Sequence, residues 1–315
     1  HRVDRRQRQM CIRDRSISKA AEKLYLTQSA LNQQLLRLEK ELGTPLFERR
    51  KHSMIPTLAG RIYLATARRM VDMKRETYKI ISDITEENAG EISIAYTPEQ
   101  GSLMFSCIYP YFREKYPNIT FSIREARVKK MEQMILQKEV TMASLTYFGN
   151  QKNPFLEYVD MGEELMVLGL PVSHPLAHLA GDDSFRTFPE IDLKLLREDS
   201  FTLISRETRM RDMIDRAFEE AGFRPRILFE SVSTRTVVNM VRQQICPAFF
   251  PQSYVEPEAP IAYFSVRPRQ TWMRCMAYLK GCYLTKPEKY YIELATRYVQ
   301  AVSYTHLTLP TIYSV

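Results

Sequence analysis

The sequence predicts a multidomain α+β chain: a helical head with a short β excursion, one long helix, then two α/β subdomains. Three observations carry this expectation. The whole positive excess lies in the first third of the chain, residues 58–86 read as one uninterrupted amphipathic helix, and beyond residue 91 strand-like runs alternate with helical patterns. At 315 residues the chain is also too long for a single core.

Residues 1–90 hold 19 Lys/Arg against 11 Asp/Glu, whereas residues 91–315 hold 26 of each. A basic segment joined to a neutral one is the electrostatic footprint of a nucleic-acid-binding head on a domain with another task. The five cysteines, Cys11, Cys107, Cys246, Cys275 and Cys282, show neither CxxC nor zinc spacing, so they read as reduced thiols in a cytoplasmic protein. The longest uncharged stretch, Met166 to Gly181, is short and broken by Pro171 and Pro175, so no membrane span is expected. The end strings 1–15 (HRVDRRQRQMCIRDR) and 303–315 (SYTHLTLPTIYSV) resemble translated sequencing-adaptor read-through. They are expected to be non-native and carry no functional argument.

In the head, Ser18–Leu24 is expected to form a short helix with Ser18 as N-cap and Ala20 and Ala21 at its centre. Tyr25 and Leu26 break it. Thr27 then caps a longer helix to about Leu42, ended by Gly43 and Pro45. Leu31, Leu35, Leu38 and Leu42 make the expected buried stripe, while Gln28, Ser29, Asn32, Gln33 and Arg37 lie on another face. Two short-linked helices with small residues at the crossing describe a helix-turn-helix, and exposed amides are the groups that pair bidentately with adenine edges. The plain alternative is a solvated polar face. The stretch Pro45–Gly60 adds a basic excursion between apolar anchors, a wing whose Arg49, Arg50 and Lys51 would reach phosphates or the minor groove.

These residues carry a resemblance. Ala20-Ala21, Thr27-Gln28-x-Ala30-Leu31, Leu38-Glu39-x-x-Leu42-Gly43 and Pro45-Leu46-Phe47-x-Arg49 occur in the order found in the winged helix-turn-helix of LysR-type transcriptional regulators, over residues 16–60. The resemblance implies that Gln28, Ser29, Asn32 and Gln33 face the bases of double-stranded DNA; Thr27, the N-cap, and Arg37, on the exposed face, are further DNA-binding candidates. It also implies that Arg49, Arg50 and Lys51 face the backbone. Asn32 stands where the family often has a second Ser, and the family's first helix should fall just before Ser16, inside the foreign-looking stretch.

Thr57 is a natural N-cap for the helix 58–86, on which Leu64, Ala67, Val71, Tyr78 and Ile81 recur, widened by Ile62, Met73, Ile80 and Ile84. Such a stripe needs a partner. In the resembled family the partner is the same helix of a second subunit, which implies a homodimer or homotetramer and suits two DNA half-sites. RNA polymerase is a further partner that a regulator of this kind admits.

From Glu91 the expected order is strand Ile92–Tyr96, helix Leu103–Lys115, strand Ile119–Arg124, helix Val128–Gln137 and strand Thr141–Thr146. This βαβαβ order implies a parallel, doubly wound sheet with ligands at the carboxyl ends of its strands. A second unit is expected from Met166: strand Phe201–Ser205, helix Met210–Gly222, strand Arg226–Glu230, helix Thr234–Gln243 and strand Ala248–Phe250. The chain returns with strand Met273–Leu279 and a closing helix Glu288–Val302. Tyr111-Phe-Arg-x-x-Tyr-Pro117, His174–Ala177, Ala221–Pro225 and Phe250-Pro251 resemble the LysR-type effector-binding domain. That resemblance implies two subdomains of the periplasmic-binding-protein type II kind, 91–165 with 269–302 and 166–268, joined by two crossover strands around an effector cleft. The family's Gly-Ile-Gly is here Gln244-Ile-Cys-Pro247, and its usual acidic residue on the third strand is Thr141.

Candidate effector contacts, by position near helix N-termini, are Thr97, Ser102, Thr146, Ser205 and Thr208, which suit a small anionic or polar molecule. Each is equally an ordinary cap or turn residue. Phosphate-loop, dinucleotide, zincin and serine-elbow motifs are absent, and His174 and His178, four apart, are separated by Pro175. No cofactor, metal site or enzymatic activity is expected. The two alternatives are a small-molecule-binding protein with a non-functional head, and an α/β enzyme.

Overall fold

The computed structural model describes residues 21–22, 25–50, 53–85 and 89–304. The string 1–15, most of the expected helix Ser18–Leu24, Lys51 and residues 305–315 lie outside that set. The chain divides into two compact units, residues 1–87 and 88–315.

In the first unit, helix α1 (Gln28–Leu42) starts where Thr27 Oγ1 accepts a hydrogen bond from the Ala30 N–H at 3.2 Å, and it stops at Gly43, whose φ of 67° a side chain would resist. Strands β1 (Phe47–Arg50) and β2 (Ser53–Pro56) pair antiparallel as the wing. Leu38, Leu46, Phe47 and Leu64 form the core, joined by Leu35, Met54, Ala59 and Tyr63. Leu31 is also buried, but Leu42 is 43% exposed, so the expected stripe loses its last member where the chain turns away at Gly43. Glu39 Oε1 accepts from the Leu46 and Phe47 N–H groups at 2.7 and 3.2 Å, fastening α1 to the start of the wing. Thr57 caps helix α2 (Leu58–Ile84) through the Gly60 N–H at 3.0 Å. Gly60 is required there, since a Cβ would sit 2.0 Å from the Leu46 carbonyl oxygen.

In the second unit, strands β3 (Gly90–Tyr96), β4 (Ile119–Glu125) and β5 (Met142–Tyr147) are parallel, linked by helices α3 (Gln100–Lys115) and α4 (Val128–Leu136). Ile92, Ile94 and Tyr96 of β3 face one core, with Met104, Ile108 and Phe112 of α3 and Tyr291 and Ala295 of the closing helix α7 (Lys286–Tyr304). Ala95 faces the other, with Met131 and Ile135 of α4. One residue of pleat thus separates the two faces of a doubly wound sheet.

The sheet is not wholly parallel. Strand β6 (Leu156–Pro171) continues without a break past residue 166 and pairs antiparallel with β12 (Thr271–Leu279) and β11 (Ile261–Val266), and β12 also lies antiparallel to β5. The expected order missed residues 156–165 of β6 and all of β11. Strand β11 is a near-continuous apolar run buried throughout, and residues 156–165 of β6 mix buried and exposed positions without strict alternation, so neither shows the period of a half-buried strand. The second core gathers Val167, Leu168, Phe201, Phe218, Val237, Phe249 and Phe264. Around it lie a two-residue strand β7 (Glu190–Ile191), the parallel pair β8 (Ser200–Ile204) and β9 (Arg226–Ser231), helices α5 (Arg209–Glu220) and α6 (Thr234–Arg242), and β10 (Ala248–Pro251) on β6. The closing helix runs to Tyr304, two residues into the string expected to be a tail. No helix among the described residues is long and apolar enough to cross a membrane.

Candidate functional site

On α1, Thr27, Gln28, Ser29, Gln33 and Arg37 are exposed and Asn32 is half-buried, opposite the buried Leu31 and Leu38. Arg49 and Arg50 lie on β1, but their side chains, like Lys51, fall outside the described part. The helix therefore presents its amides and guanidinium as one polar face held by a packed apolar one.

In the second unit a cleft of about 320 Å³ opens at the carboxyl ends of β3, β4, β5, β8 and β9. Gln100, Val128, Arg209 and Thr234 all line it, and each is the first residue of its helix, so α3, α4, α5 and α6 all begin on its walls. The structure brings Thr97, Thr146 and Thr208 to the lining. Thr208 is also the N-cap of α5, accepting from the Arg211 N–H at 3.1 Å and donating to the Ser205 carbonyl at 3.0 Å. Ser102 is half-buried within α3 and is not on the wall. Nor is Ser205, whose hydroxyl is buried without a hydrogen-bond partner among the described residues.

Sequence reasoning missed the charged lining. Arg209 donates to Glu132 Oε1 and to the Thr146 carbonyl, both at 2.6 Å, and Arg127 pairs with Glu207. Glu99 reaches Ser233, the Arg235 N–H and Tyr254. Glu99, Arg127 and Glu207 stand two or three residues beyond the ends of β3, β4 and β8, the same positional signal that marks the hydroxyls, whereas Glu132 lies within α4 and carries no such signal. The floor is tied by Glu164, which is 3% exposed and accepts from Trp272 Nε1 at 2.8 Å and the Ser253 N–H at 3.2 Å. Burial, reinforced by the Glu99 carboxylate, pushes the Tyr254 phenol far above its ordinary range, so it stays a donor. Behind the wall, buried Arg211 binds Asp215 at 2.6 Å, Glu230 at 2.7 Å and the Ile204 carbonyl at 3.0 Å. Arg211 holds the Glu230 carboxyl below the usual carboxylate range against the opposing effect of burial, with Arg206 a smaller contribution in the same direction as Arg211.

The remaining candidates lie away from the cleft. His174 Nε2 is 3.1 Å from Asp199 and its Nδ1 accepts from the Leu176 N–H, while His178 bonds the Pro175 carbonyl. Among the described residues no group of three His, Cys, Asp or Glu could hold a metal. Cys246 is buried 3.1 Å from Thr202 Oγ1, and burial raises the Cys275 thiol to about 12. Gln244 takes a φ of 62° in the turn before Cys246 and ties it down, donating to the Pro260 carbonyl at 2.7 Å and accepting from the Ser173 N–H at 3.0 Å.

Two family models match this architecture. The LysR substrate binding domain covers residues 85–300, and the bacterial regulatory helix-turn-helix protein, lysR family, covers residues 9–61. The chain belongs to the LysR family. It is a LysR-type transcriptional regulator with an effector-binding domain. Among curated LysR-like relatives, the HTH-type transcriptional regulator YybE of Bacillus subtilis (strain 168), itself uncharacterized, is 24% identical over 282 residues, covering 88% of this chain and 91% of that one. The full-length OxyR structure from Pseudomonas aeruginosa superposes with a TM-score of 0.66 at 18% identity, covering 94% and 93% of the two chains. Full-length CbnR complexed with its target DNA gives 0.54 at 19% identity, covering 93% and 98%. The LysR helix-turn-helix match begins at residue 9, inside the stretch read as foreign.

Proposed function

We propose that this regulator reads operator DNA with Thr27, Gln28, Ser29, Asn32, Gln33 and Arg37 in the major groove and sets Arg49, Arg50 and Lys51 against phosphates. A small anionic or polar effector binds the cleft through Thr97, Thr146 and Thr208 and modulates operator binding or activation. Ser102 and Ser205 act from behind the lining. The observation that carries the effector reading is the convergence of four helix N-termini on one 320 Å³ cleft. Each brings its first-turn N–H groups and the positive end of its dipole, the environment in which an anion is stabilised. That volume suits a metabolite-sized ligand.

The α2 helix supports a homodimer or homotetramer. Ile62, Met70, Met73, Ile81 and Ile84 are 43–70% exposed and recur at spacings of 8, 3, 8 and 3, which keeps them on one face. A second copy of the helix would cover it. A cytoplasmic, non-enzymatic regulator is the reading these features favour.

Selection of bound sequences from a random duplex library by the full chain tests the DNA half. A consensus with two half-sites about one helical turn apart is expected, with binding that weakens steeply as salt rises. Enrichment of no sequence would overturn it. Calorimetry of the full chain against small carboxylates tests the effector half.

A further inference from the structure

Glu99 stands at the N-cap position of α3 and makes no side-chain bond to that helix. Its side chain crosses the cleft and caps α6 instead. Oε1 accepts from Ser233 Oγ at 2.6 Å, and Oε2 accepts from Tyr254 OH at 2.7 Å and from the Arg235 N–H at 3.3 Å. Ser233 is the N-cap of α6, so one carboxylate receives the cap hydroxyl, a first-turn amide and a phenol together. All three donors lie more than a hundred residues along the chain from Glu99, on the opposite wall.

Two further facts concern how this contact is held. Glu99 has φ 68° and ψ −85°, a positive-φ conformation that strains any residue with a Cβ and persists only where the surroundings enforce it. The bonds to α6 and Tyr254 hold its side chain in that conformation. Second, Glu99, Ser233, Thr234 and Tyr254 line the same cleft, so a small molecule in that volume reaches the Ser233 and Tyr254 hydroxyls, beside the Arg235 N–H. Release of Glu99 from them relaxes its backbone and returns a carboxylate to the uncapped start of α3.

We infer that the N-terminus of α6 is a carboxylate site filled by the chain's own Glu99, and that a carboxylate-bearing effector binds by exchanging with it. The inference rests on the reading of the cleft as the effector site and names the chemistry of one end of it. The exchange is a swap of caps: the ligand takes Ser233, Tyr254 and the Arg235 N–H, and Glu99 turns back to α3. Because Glu99 and its donors sit on opposite walls, the swap replaces an internal tie across the cleft with a tie through the ligand. An effector without an anionic group gains nothing at this end and competes poorly.

The test uses the full chain with acetate as probe, acetamide as its neutral counterpart, and chloride to match ionic strength. Glu99→Ala lowers the melting temperature, and acetate restores it saturably by about 2–4 °C. Acetamide does not, the wild type shows no such response, and adding Ser233→Ala abolishes it. Glu99→Gln, which keeps the side-chain shape, serves as a second variant and shows a smaller acetate response. If neither variant responds to acetate beyond chloride, or if Ser233→Ala leaves the response intact, the inference is overturned. Metabolite binding that persists in Glu99→Ala without any acetate response would leave the cleft standing as the effector site and remove only the carboxylate exchange.

Discussion

Arg209 and Glu132 meet at 2.6 Å across the cleft, with only 7% and 13% of their side chains exposed. Arg209 opens α5 and Glu132 lies on α4, so the pair joins two helices whose N-termini face the same volume. The second Arg209 bond, to the Thr146 carbonyl, fixes the guanidinium as a fork between a side chain and a strand end. Removing one partner leaves the other charge buried and unpaired. Arg209→Met is therefore expected to lower unfolding stability by about 3–5 kcal/mol, and the Arg209→Met/Glu132→Met double variant by less than the single one. Urea unfolding of the full chain and both variants checks this. With the Glu132→Met single variant measured as well, a double-variant loss equal to the sum of the two single losses would show the pair to be uncoupled.

Gly60 and the Leu46 carbonyl fix a second expectation. A Cβ on Gly60 would lie 2.0 Å from that oxygen, and the neighbour is backbone, which cannot rotate away. Gly60→Ala must move the start of α2 away from the turn before the wing, where Thr57 Oγ1 also donates to the Pro45 carbonyl at 2.8 Å. DNA binding is expected to fall at least tenfold, while ligand binding in residues 88–315 stays unchanged. Electrophoretic mobility shift and calorimetry on the same preparation measure both.

For readout, Gln28→Ala or Asn32→Ala should cost about 1–3 kcal/mol at the selected site and relax base preference there. Arg50→Ala should instead weaken binding to every sequence and reduce the slope of log affinity against log salt by about 1. Binding isotherms at four salt concentrations separate the two. Unchanged base preference in the Gln28 and Asn32 variants would remove α1 as the reading helix.

The head was legible in the sequence because its signals are local. Thr27, Gly43 and Thr57 are caps that act within four residues, and the structure places a helix boundary at each. Leu42 was not legible, since whether the last turn of a stripe is covered depends on where the chain goes after Gly43. In the second unit strand and helix types followed from periodicity, but β6 crosses two cores and only tertiary pairing with β11 and β12 reveals its length. Of the five hydroxyl residues chosen by position, three reach the cleft. The ion pairs that shape it join residues as much as 80 positions apart, which no spacing rule detects.

Glu230 gives a pH expectation. Arg211, helped by Arg206, holds its carboxyl below the ordinary carboxylate value in the folded chain. A depressed carboxylate contributes stability that is fully present above the unfolded value and is lost as pH falls through the lower folded one. Wild type should therefore exceed Glu230→Gln in stability at pH 7, and the difference should shrink steadily below about pH 4.5. Denaturant midpoints at pH 7, 5, 4 and 3 follow it. A gap that stays constant down to pH 3 would show that the ion pair is not what Glu230 contributes.

The last expectation concerns the switch. Thr97, Thr146 and Thr208 share the lining, but only Thr208 has a visible structural duty, as the cap of α5. Thr208→Ala is expected to lose about 1 kcal/mol of stability in addition to any effect on ligand. Thr97→Val keeps the shape and removes only the hydroxyl, so it is the cleaner probe. It should weaken effector binding roughly tenfold, the worth of one hydrogen bond to a charged group, while DNA affinity without effector stays within twofold of wild type. An effector shifts DNA binding only by its differential affinity for the two arrangements of the protein, and the coupling is reciprocal. Saturating operator DNA must then change effector affinity by the same factor by which effector changes operator affinity, typically 5–150-fold in allosteric systems. Calorimetric titration of effector into the free chain and into its operator complex, with wild type and Thr97→Val side by side, measures both quantities. A Thr97→Val chain that binds effector as tightly as wild type would take Thr97 out of the site, and an effector affinity that operator DNA leaves unchanged would mean that the cleft does not couple to DNA.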